Sequence, residues 1–588
     1  MNRNPSNRNG RKAQAKARQY PSVLSWRFAF VLLSISAVFI TLLSRAAWLQ
    51  VIEPDMLVSQ GDMRSLRVHS DKVLRGTIVD RHGEALAVSV PVEAIWADPK
   101  VVLERNAPAD ERRWHALADI LQMTPAQLLS RIGDNPQRRF VYLQRQVNPA
   151  VVDYVKKLQV PGIFFREESR RFYPAGEVTA QLVGFTNVDD EGVEGIEKRF
   201  DAILTGTDGR KVFRKDAKGR EIEVLEREQS QPPANLQLSI DQRIQSVAYR
   251  ELKKAVLSHG ATSGSAVVVD VHTGEVLAMV NSPSFNPNNR RNTPAHRFRN
   301  RAITDTFEPG STMKPLAVLS ALEFGSAKLD TVVDTHPGTM RIGGSWVRDP
   351  VNYRQLDLTG IIQKSSNMGV AKLVLDMPHE HVLSLYGNLG LGEDTGLGLQ
   401  GESSGLFSHR RRWSDFERAT FSYGYGLSVT AVQLARAYSM LGNGGYNRPL
   451  TILKSDEPFA AEPVLAKKHA QAMLEMMEAN IGPGGTATRA QVPGYRVGGK
   501  TGTARKAVAG GYGDDYIASF AGVGPVSNPR LATVVVINEP AGDFYHGGEI
   551  AAPVFASIMG AAMQLLNLPP DAGSRPVITA VSGGAHAG

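Results

Sequence analysis

Residues 265–280 read Ser-Ala-Val-Val-Val-Asp-Val-His-Thr-Gly-Glu-Val-Leu-Ala-Met-Val, and this stretch decides the fold class of the chain. The first seven residues are dense in β-branched side chains and predict a buried strand. His272-Thr273-Gly274 predicts a turn, and the apolar run after it predicts a returning strand, so the two form a hairpin. Leu531–Asn538 predicts another buried strand, and long amphipathic helical patterns lie between. The sequence therefore predicts an α/β (α+β) domain with an antiparallel sheet flanked by helices.

Residues 55–230 have a different character. They are charged, with strand-like runs at Gly76–Val79 and Ala94–Ala97 and a helical pattern at Arg112–Leu121. Glu226–Ala234 contains Gln-Ser-Gln-Pro-Pro and predicts a linker. Because 588 residues are too many for one ordinary core, we expect two domains, over 55–230 and 235–568.

An apolar segment near the N-terminus predicts a membrane helix over residues 28–48. The 17 residues between Arg27 and Arg45 carry no charge, and as a helix they would extend about 25 Å. Trp26 and Trp48 stand where interfacial aromatic residues are expected. A cleaved signal peptide is the alternative, but the apolar run is longer than a usual signal core and no Ala-x-Ala cleavage site follows it. An uncleaved single-pass anchor is favoured.

The net charge of +9 is concentrated before this segment. Residues 1–27 contain seven basic side chains and no acidic one, and the rest of the chain is nearly neutral. The positive-inside rule therefore places this tail in the cytoplasm and the remaining chain outside. Nucleic-acid binding by the folded part is disfavoured because its charge is balanced. The chain has no cysteine, which excludes disulfides and thiolate chemistry. Residues 571–588 are rich in Gly, Ala, Ser and Pro and predict disorder.

Three short motifs carry the predicted chemistry. Ser311-Thr312-Met313-Lys314 is S-x-x-K, Ser365-Ser366-Asn367 is S-x-N, and Lys500-Thr501-Gly502 is K-T-G. Each motif alone is weak evidence, because short patterns occur by chance in a long chain. Their occurrence together, in one predicted domain, is far more specific.

The first motif predicts a serine nucleophile with a lysine base. Glu308-Pro309-Gly310 breaks regular structure, and Ser311 through Phe324 then predicts a helix closed by Gly325. Lys314 would lie one turn after Ser311 on the same helix face. A hydroxyl needs a base, and lysine is a base only when burial and nearby positive charge, from Lys500 or Lys364, lower its pKa. The alternative is that Ser311 only caps the helix and Lys314 is solvated.

The other two motifs predict substrate contacts. Gly498 through Thr503 predicts an edge strand on which a peptide can lie, with Lys500 and the hydroxyls of Thr501 and Thr503 binding a terminal carboxylate. In S-x-N, Asn367 would orient the substrate amide and Ser365 would relay a proton to the leaving amine. The alternatives are a tight bend in a strand and a helix cap.

In this order the three motifs are the signature shared by penicillin-binding proteins and serine β-lactamases. The chain resembles the class B penicillin-binding proteins over nearly its whole length, and its septal branch more than the elongation branch. The runs that carry this resemblance are Arg75–Gly83, Arg170–Gly176, Gly192–Glu197, Arg411–Ser414 and Tyr423–Gly426.

The resemblance implies a penicillin-binding/β-lactamase-like transpeptidase domain over 235–568, an elongated dimerisation-type pedestal over 55–230, and one N-terminal transmembrane helix. It implies a D,D-transpeptidase in which Ser311 forms an acyl ester with a stem pentapeptide and Lys314 is the general base. Ser365 would relay a proton to the leaving amine, and Asn367 would orient the substrate amide. Lys500, Thr501, Gly502 and Thr503 would bind substrate, and the backbone N–H groups of Ser311 and Thr503 would form the oxyanion hole. No metal or cofactor is implied.

The partners implied are an acceptor amine, β-lactam antibiotics, a polytopic septal glycosyltransferase and other division proteins. The implied location is the inner membrane at the division septum, with the catalytic domain in the periplasm. A β-lactamase is disfavoured by the anchor and pedestal, and a scaffold or sensor by the intact motifs. An elongation-type or condition-specific paralogue and a D,D-carboxypeptidase remain alternatives. Two features depart from the family pattern: Gln181 replaces a common histidine, and Ala507–Asp515 contains two acids.

Overall fold

The computed structural model describes residues 25–52, 59, 61–62, 65–71, 73–134, 137–216, 218, 220–408, 410, 412–508 and 510–573. The basic tail up to residue 24, Arg411, and the C-terminal tail from residue 574 lie outside the described residues. The described chain divides into two compact units. One contains the residues up to 71 together with Asp208–Ser230, and the other contains Val73–Thr207 and residues 231–573.

The strands of the described chain are β1 Leu66–Asp71, β2 Ile78–Val79, β3 Ala85–Ala97, β4 Val141–Val147, β5 Ile163–Phe172, β6 Phe185–Thr186, β7 Gly192–Glu194, β8 Gly209–Lys215, β9 Glu221–Glu228, β10 Leu236–Gln237, β11 Ser263–Asp270, β12 Val276–Ser282, β13 Val332–Asp334, β14 Thr339–Ile342, β15 Ser345–Arg348, β16 Gln355–Asp357, β17 Tyr446–Asn447, β18 Glu462–Pro463, β19 Gly498–Val508, β20 Gly511–Gly524 and β21 Leu531–Asn538.

The α-helices are α1 Ser25–Ala47, α2 Pro99–Glu104, α3 Glu111–Ile120, α4 Pro125–Gly133, α5 Pro149–Leu158, α6 Ala180–Val183, α7 Gly195–Arg199, α8 Asp201–Thr205, α9 Gln242–Ser258, α10 Arg301–Thr304, α11 Lys314–Glu323, α12 Leu358–Lys364, α13 Asn367–Leu375, α14 His379–Asn388, α15 Asp415–Ser422, α16 Ala431–Gly442, α17 Lys467–Ile481 and α18 Gly547–Leu565.

The first unit contains the apolar helix and a small sheet. Helix α1 is followed by a π-helical turn over Trp48–Ile52, and none of its side chains is buried in the structure. By length and composition, the segment Ser25–Val51 is able to span a membrane. Helix α18 passes the same test, but it is half buried in the core of the second unit.

Strand β9 corrects the predicted linker. It extends to Glu228 and pairs antiparallel with β8, which in turn pairs with β1. Residues 221–224 alternate acidic and apolar side chains, but residues 226–228, which fall in the predicted linker, are all charged and exposed, so no apolar pattern predicts a strand there. Cross-strand ion pairs such as Lys211–Glu221 and Arg214–Glu223 support β9. The first part of Glu226–Ala234 is therefore strand and not linker.

The second unit is built on the predicted hairpin. Strands β11 and β12 pair antiparallel around a turn in which Gly274 has a φ of +75°. They belong to a five-stranded antiparallel sheet in the order β12-β11-β21-β20-β19. Strand β21 covers Leu531–Asn538 as predicted.

Helices cover both faces of this sheet. Ala266 and Val268 pack into a cluster with helices α9 and α18, while Val267 and Val269 pack into the opposite cluster with α11 and α16. The period-2 alternation of a strand produces this division. The predicted α/β class, with an antiparallel sheet flanked by helices, is confirmed, and β19 lies at the sheet edge.

Residues 73–207 contribute most strands of a second sheet within the same unit, and residues 95–160 pack a local core of their own. Strand β3 pairs with β4 and β5 and is longer than the predicted run at Ala94–Ala97. Helix α3 lies where a helix was predicted and packs Trp114 into a local core. The buried carboxylate of Glu197 bridges Arg75 at 2.7 Å and Arg171 at 2.6 Å, which joins the three sequence runs that carried the upstream resemblance.

Candidate active site

Ser311 lies in a short 3-10 turn over Gly310–Met313, and the α-helix α11 begins only at Lys314. The predicted α-helix from Ser311 is therefore wrong in its first turn. The reason is Pro315: it has no N–H to donate to the Ser311 carbonyl, and the N–H of Lys314 donates there instead. The predicted end is confirmed, since α11 stops at Glu323 and Gly325 has a φ of +76°.

The turn that carries Ser311 is held by close backbone packing. The Tyr438 hydroxyl donates to the Thr312 carbonyl oxygen at 2.7 Å. Gly424, from the Tyr-Gly-Tyr-Gly run, has a φ of +88°, and a Cβ there would lie 2.2 Å from the Gly310 carbonyl oxygen. Only glycine permits this approach, so the run singled out by resemblance packs directly against the Ser311 turn.

Lys314 is 1% exposed, and its ammonium group is surrounded by acceptors of the S-x-N motif. Nζ donates to the Ser365 carbonyl oxygen at 2.5 Å, to Ser365 Oγ at 3.0 Å and to Asn367 Oδ1 at 2.7 Å. Within the described part of the chain, no hydrogen bond joins Nζ to the Ser311 hydroxyl. Such bonds commonly form only when substrate is bound.

Burial lowers the pKa of Lys314 from 10.5 to about 7, against an opposing effect of the Asp349 carboxylate. A pKa near neutrality makes an uncharged amine available at physiological pH. Of the two cations expected to supply positive charge, Lys500 lies within electrostatic range of Lys314. Lys364 points elsewhere, since its Nζ donates to the Gly484 carbonyl oxygen at 2.9 Å.

Ser365 and Asn367 are positioned by two consecutive helices. Ser365 follows α12 with a φ of 56°, a left-handed conformation that costs a non-glycine residue about 1 kcal/mol or more. This conformation turns both its carbonyl and its hydroxyl oxygen toward Lys314. Asn367 begins α13, and its Nδ2 donates to the Arg348 carbonyl oxygen at 3.0 Å.

Lys500 and the K-T-G motif lie on β19, whose outer edge faces the Ser311 turn. A Cβ on Gly502 would lie 2.7 Å from the Pro309 carbonyl oxygen and 3.0 Å from Thr312 Cγ2. Lys500 is fully buried, and its Nζ donates to Thr501 Oγ1 at 3.2 Å. Burial lowers the pKa of Lys500 well below its ordinary value, and the charge of Lys314 lowers it further.

The threonines of this strand retain donors for a ligand. Thr503 Oγ1 accepts the Gly547 N–H at 3.0 Å, which leaves the hydroxyl proton free to donate. The Thr503 carbonyl oxygen lies 3.3 Å from a Cβ built on Gly310, so the backbone of Thr503 faces the Ser311 turn. In an antiparallel pair a residue presents N–H and C=O to the same side, so its N–H also faces this turn.

The structure thus gathers the eight predicted site residues, Ser311, Lys314, Ser365, Asn367, Lys500, Thr501, Gly502 and Thr503. The arrangement combines a hydroxyl, a buried amine of lowered pKa, a second hydroxyl that contacts that amine, and an edge strand that carries a second buried lysine. No sequence motif includes Asp349, whose carboxylate holds the start of α13. Its local sequence, Asp349-Pro350, is a common turn pair that does not reveal contacts 17 to 19 residues away.

Two features that depart from the family pattern lie outside this group. Gln181 Nε2 donates to the carbonyl oxygens of Pro283 at 3.0 Å and Arg297 at 3.1 Å, so its role is structural. Asp514 and Asp515 are exposed on β20, near the tip of the β19–β20 hairpin.

Comparisons with known proteins agree with this geometry. Residues 264–560 match the family described as "Penicillin binding protein transpeptidase domain", and residues 70–238 match "Penicillin-binding Protein dimerisation domain". A curated relative, "Peptidoglycan D,D-transpeptidase FtsI" of Escherichia coli K12, is 53% identical over 95% of this chain and 96% of its own length. "Probable peptidoglycan D,D-transpeptidase PenA" of Neisseria meningitidis serogroup A is 38% identical over 94% of both chains.

Solved structures show the same fold. The crystal structure of a peptidoglycan synthetase from Bifidobacterium adolescentis has a TM-score of 0.69 and 28% identity, covering 87% of this chain and 98% of that one. The two family matches together cover more than half of the chain, and the relatives are similar over almost their full length. These matches establish the family of the chain. This chain belongs to the penicillin-binding proteins and is a class B member of the FtsI type.

Proposed function

We propose that this protein is the septal peptidoglycan D,D-transpeptidase of its cell, with Ser311 as the residue that forms the acyl-enzyme. Ser311 Oγ attacks the carbonyl carbon of the penultimate D-alanine of a stem pentapeptide. The peptide bond to the terminal D-alanine breaks, and the stem peptide remains as an ester on Ser311. The amine of a neighbouring stem then attacks this ester, forms the cross-link and releases the serine.

Proton transfer in both steps passes through Lys314 and Ser365. Uncharged Lys314 takes the proton of the Ser311 hydroxyl as the hydroxyl attacks. The resulting ammonium group lies 3.0 Å from Ser365 Oγ, which relays a proton to the departing D-alanine amine. The path runs in reverse when the acceptor amine attacks. Asn367 Oδ1 also accepts a hydrogen bond from Lys314 Nζ, and the Asn367 side chain orients the substrate amide.

The edge strand β19 binds the donor peptide. The substrate pairs with the backbone of β19 as an additional strand. Protonated Lys500 and the hydroxyls of Thr501 and Thr503 bind its terminal carboxylate. An arriving carboxylate restores the positive charge of Lys500, because it offsets the cost of burying that charge. The N–H groups of Ser311 and Thr503 stabilise the oxyanion of the tetrahedral intermediate.

The location of the protein follows from its N-terminal segment. Helix α1 is the single membrane anchor, the basic tail before it stays in the cytoplasm, and the pedestal (55–230) and transpeptidase domain (235–568) lie in the periplasm. The matched ranges 70–238 and 264–560 support this division. The proposed partners are a polytopic septal glycosyltransferase and other division proteins, and β-lactams acylate Ser311 as mimics of the donor.

One observation carries this proposal: a fully buried lysine with a pKa of about 7 contacts both polar residues of S-x-N beside a buried lysine on an edge strand. Structural lysines are normally solvated and charged. A buried amine of lowered pKa that contacts the Ser365 hydroxyl is instead suited to proton transfer.

The test uses the full-length protein in detergent with a fluorescent penicillin. We expect Ser311→Ala to abolish covalent labelling and cell division while the thermal unfolding midpoint stays within a few degrees of the wild-type value. Ser326→Ala is the matched control, since this serine follows the same helix and bonds only the Ala321 carbonyl oxygen and Met377. Labelling that persists in Ser311→Ala contradicts the assigned nucleophile.

Two further measurements separate the alternative functions. A donor pentapeptide supplied with an excess of acceptor amine gives cross-linked product from a transpeptidase and only hydrolysed product from a D,D-carboxypeptidase. A fluorescent fusion at midcell supports the septal role, whereas a lateral-wall distribution supports the elongation-type role. Absence of the septal glycosyltransferase from material purified under mild conditions counts against the proposed partner.

A further inference from the structure

We propose that Asp349, which no motif includes, is a positioning residue for the acyl-transfer reaction: its carboxylate fixes the turn that carries Ser365 and Asn367 and supplies the negative charge that balances protonated Lys314. This inference rests on the proposed function, because it concerns how Lys314 moves protons in that reaction.

Hydrogen bonds from the S-x-N segment fix the Asp349 carboxylate. The residue follows strand β15 and is 9% exposed. Oδ1 accepts the N–H of Asn367 at 2.6 Å and that of Met368 at 3.0 Å, while Oδ2 accepts the Ser366 hydroxyl at 2.5 Å. Both carboxylate oxygens are therefore committed to three successive residues of the S-x-N segment.

These bonds complete the start of helix α13. The first N–H groups of a helix have no carbonyl partner within the helix, and a negative charge at that end is favourable. Asp349 satisfies two of them, and Ser366 Oγ accepts the Gly369 N–H at 2.8 Å. Because the start of α13 is fixed, Ser365, two residues before it, is held in its left-handed conformation.

The same turn faces Lys314 on its other side. An ammonium group has three donors, and the three acceptors of Lys314 are two oxygens of Ser365 and one of Asn367. Asp349 therefore does not touch the reacting atoms. It acts on them through two residues whose backbone it holds.

The charge of Asp349 has few other partners. Among the residues that the structure describes, no lysine or arginine lies within 4.0 Å of its carboxylate. Asp349, from the segment after β15, is the charged group that acts on Lys314, and Lys500 of β19 lies within electrostatic range of it. Burial favours an uncharged Lys314, whereas Asp349 favours the protonated form, so Asp349 raises the pKa at which Lys314 changes state.

Two substitutions separate the effects of charge and of position. Asp349→Asn keeps the shape: the amide oxygen can accept the two N–H groups, and the amide nitrogen can donate to Ser366 Oγ. Asp349→Ala removes both the charge and the anchor. Asp357→Asn is the matched control, because Asp357 caps the neighbouring helix α12 by accepting the Gly360 N–H at 2.6 Å.

The experiment measures the acylation rate constant of the purified full-length protein with a penicillin from pH 5.5 to 9. For Asp349→Asn we expect the acid limb to move about half a pH unit or more to lower pH, since an attractive charge is lost. For Asp349→Ala we expect a fall of about tenfold or more at the plateau, with a smaller change in the affinity of the initial complex. Asp357→Asn should match the wild-type profile.

Each variant tests one part of the proposed role of Asp349. If the acid limb of the Asp349→Asn profile lies at the same pH as in the wild type, the proposed role of the charge is wrong, whatever the plateau rate. A plateau rate of Asp349→Ala within twofold of the wild-type rate overturns the positioning role. Failure of the proposed function looks different, because the wild-type protein itself would then not be acylated. Thermal unfolding of each variant shows whether a lost rate reflects a lost fold.

Discussion

Lys314 and Lys500 lie buried beside the same Ser311 turn, and the positive charge of Lys314 lowers the pKa of Lys500 below the value that burial alone would give. The two amines therefore do not both carry a full charge in the free protein. An anion on Lys500 changes this balance, because it stabilises a charge there. In the proposed function, binding of the donor carboxylate and proton transfer by Lys314 would therefore be electrostatically coupled.

The first prediction concerns the pH dependence of acylation. Because Lys314 acts as a base only when uncharged and its pKa is about 7, the second-order rate constant with a penicillin should rise with pH and level off above about pH 8. Lys314→Met should lower the plateau by about 10²-fold to 10⁴-fold. Stopped-flow acylation measures both effects, and the exposed Lys328→Met is the control. A rate that is constant from pH 5.5 to 9 contradicts the assigned base.

The second prediction is that Lys314, the proposed base, destabilises the fold. The pKa of Lys314 is about 7 in the folded protein and 10.5 in the unfolded chain, so the unfolded state binds more protons between these values. The free energy of unfolding contributed by this group therefore rises as pH increases from about 7 to 10.5. Lys314→Met removes the buried charge, so its thermal unfolding midpoint should exceed that of the wild type more at pH 6 than at pH 10. An equal difference at both pH values counts against this account.

The third prediction concerns Gly502, where strand β19 and the Ser311 turn come closest. A Cβ there would lie 2.2 Å from Ser519 Oγ and 2.7 Å from the Pro309 carbonyl oxygen, so Gly502→Ala must displace the strand or the turn. Because a displacement of about 1 Å costs roughly 10²-fold in rate, we expect a loss of that size in penicillin acylation.

A second substitution tests the cause of that loss. Adding Ser519→Ala removes the nearest clash but leaves the backbone of Pro309 in place, so the double variant should recover only part of the rate. Gly513→Ala on the same hairpin is the control, since its Cβ would meet no atom of the described residues closer than Val508 Cγ1 at 3.3 Å. Full recovery of the acylation rate would show that the clash with the Pro309 carbonyl oxygen does not cause the loss.

The sequence predicts those parts of this protein in which a local pattern determines the structure. Residues 265–280 form the predicted hairpin because each strand alternates between two helix-covered faces. The three motifs could be assigned to one site because their chemistry is complementary. The predicted α-helix at Ser311 overlooked the consequence of Pro315, whose missing N–H converts the first turn to a 3-10 turn.

Other parts depend on contacts that no local pattern contains. The last residues of strand β9, 226–228, are all charged, so only their pairing with β8 identifies them as part of a strand. Asp349 is one of many aspartates next to a proline or a turn. Its role becomes visible only when the chain folds back and places it under the first turn of α13.

The last prediction concerns Glu197, which lies between two arginines in residues 73–207. Glu197 is fully buried, Arg75 and Arg171 are 4% and 5% exposed, and each guanidinium donates to a different carboxylate oxygen. Removing one partner from a buried ion pair leaves an uncompensated charge and costs about 3–5 kcal/mol. We therefore expect Glu197→Gln to open the surrounding strands far more often than in the wild type, which hydrogen exchange of β3 and β5 would detect.

The control for this variant is Glu191→Gln, because the Glu191 carboxylate accepts a solvent-exposed hydrogen bond from Asn187 Nδ2 and pairs with no lysine or arginine among the described residues. Since Glu197 does not contact Ser311 or β19, the acylation rate of the folded fraction should match that of the wild type at low temperature. Unchanged exchange in Glu197→Gln would mean that the ion pair does not hold these strands together. A specific loss of acylation without faster exchange would instead mean that Glu197 acts on the Ser311 site and not on local stability.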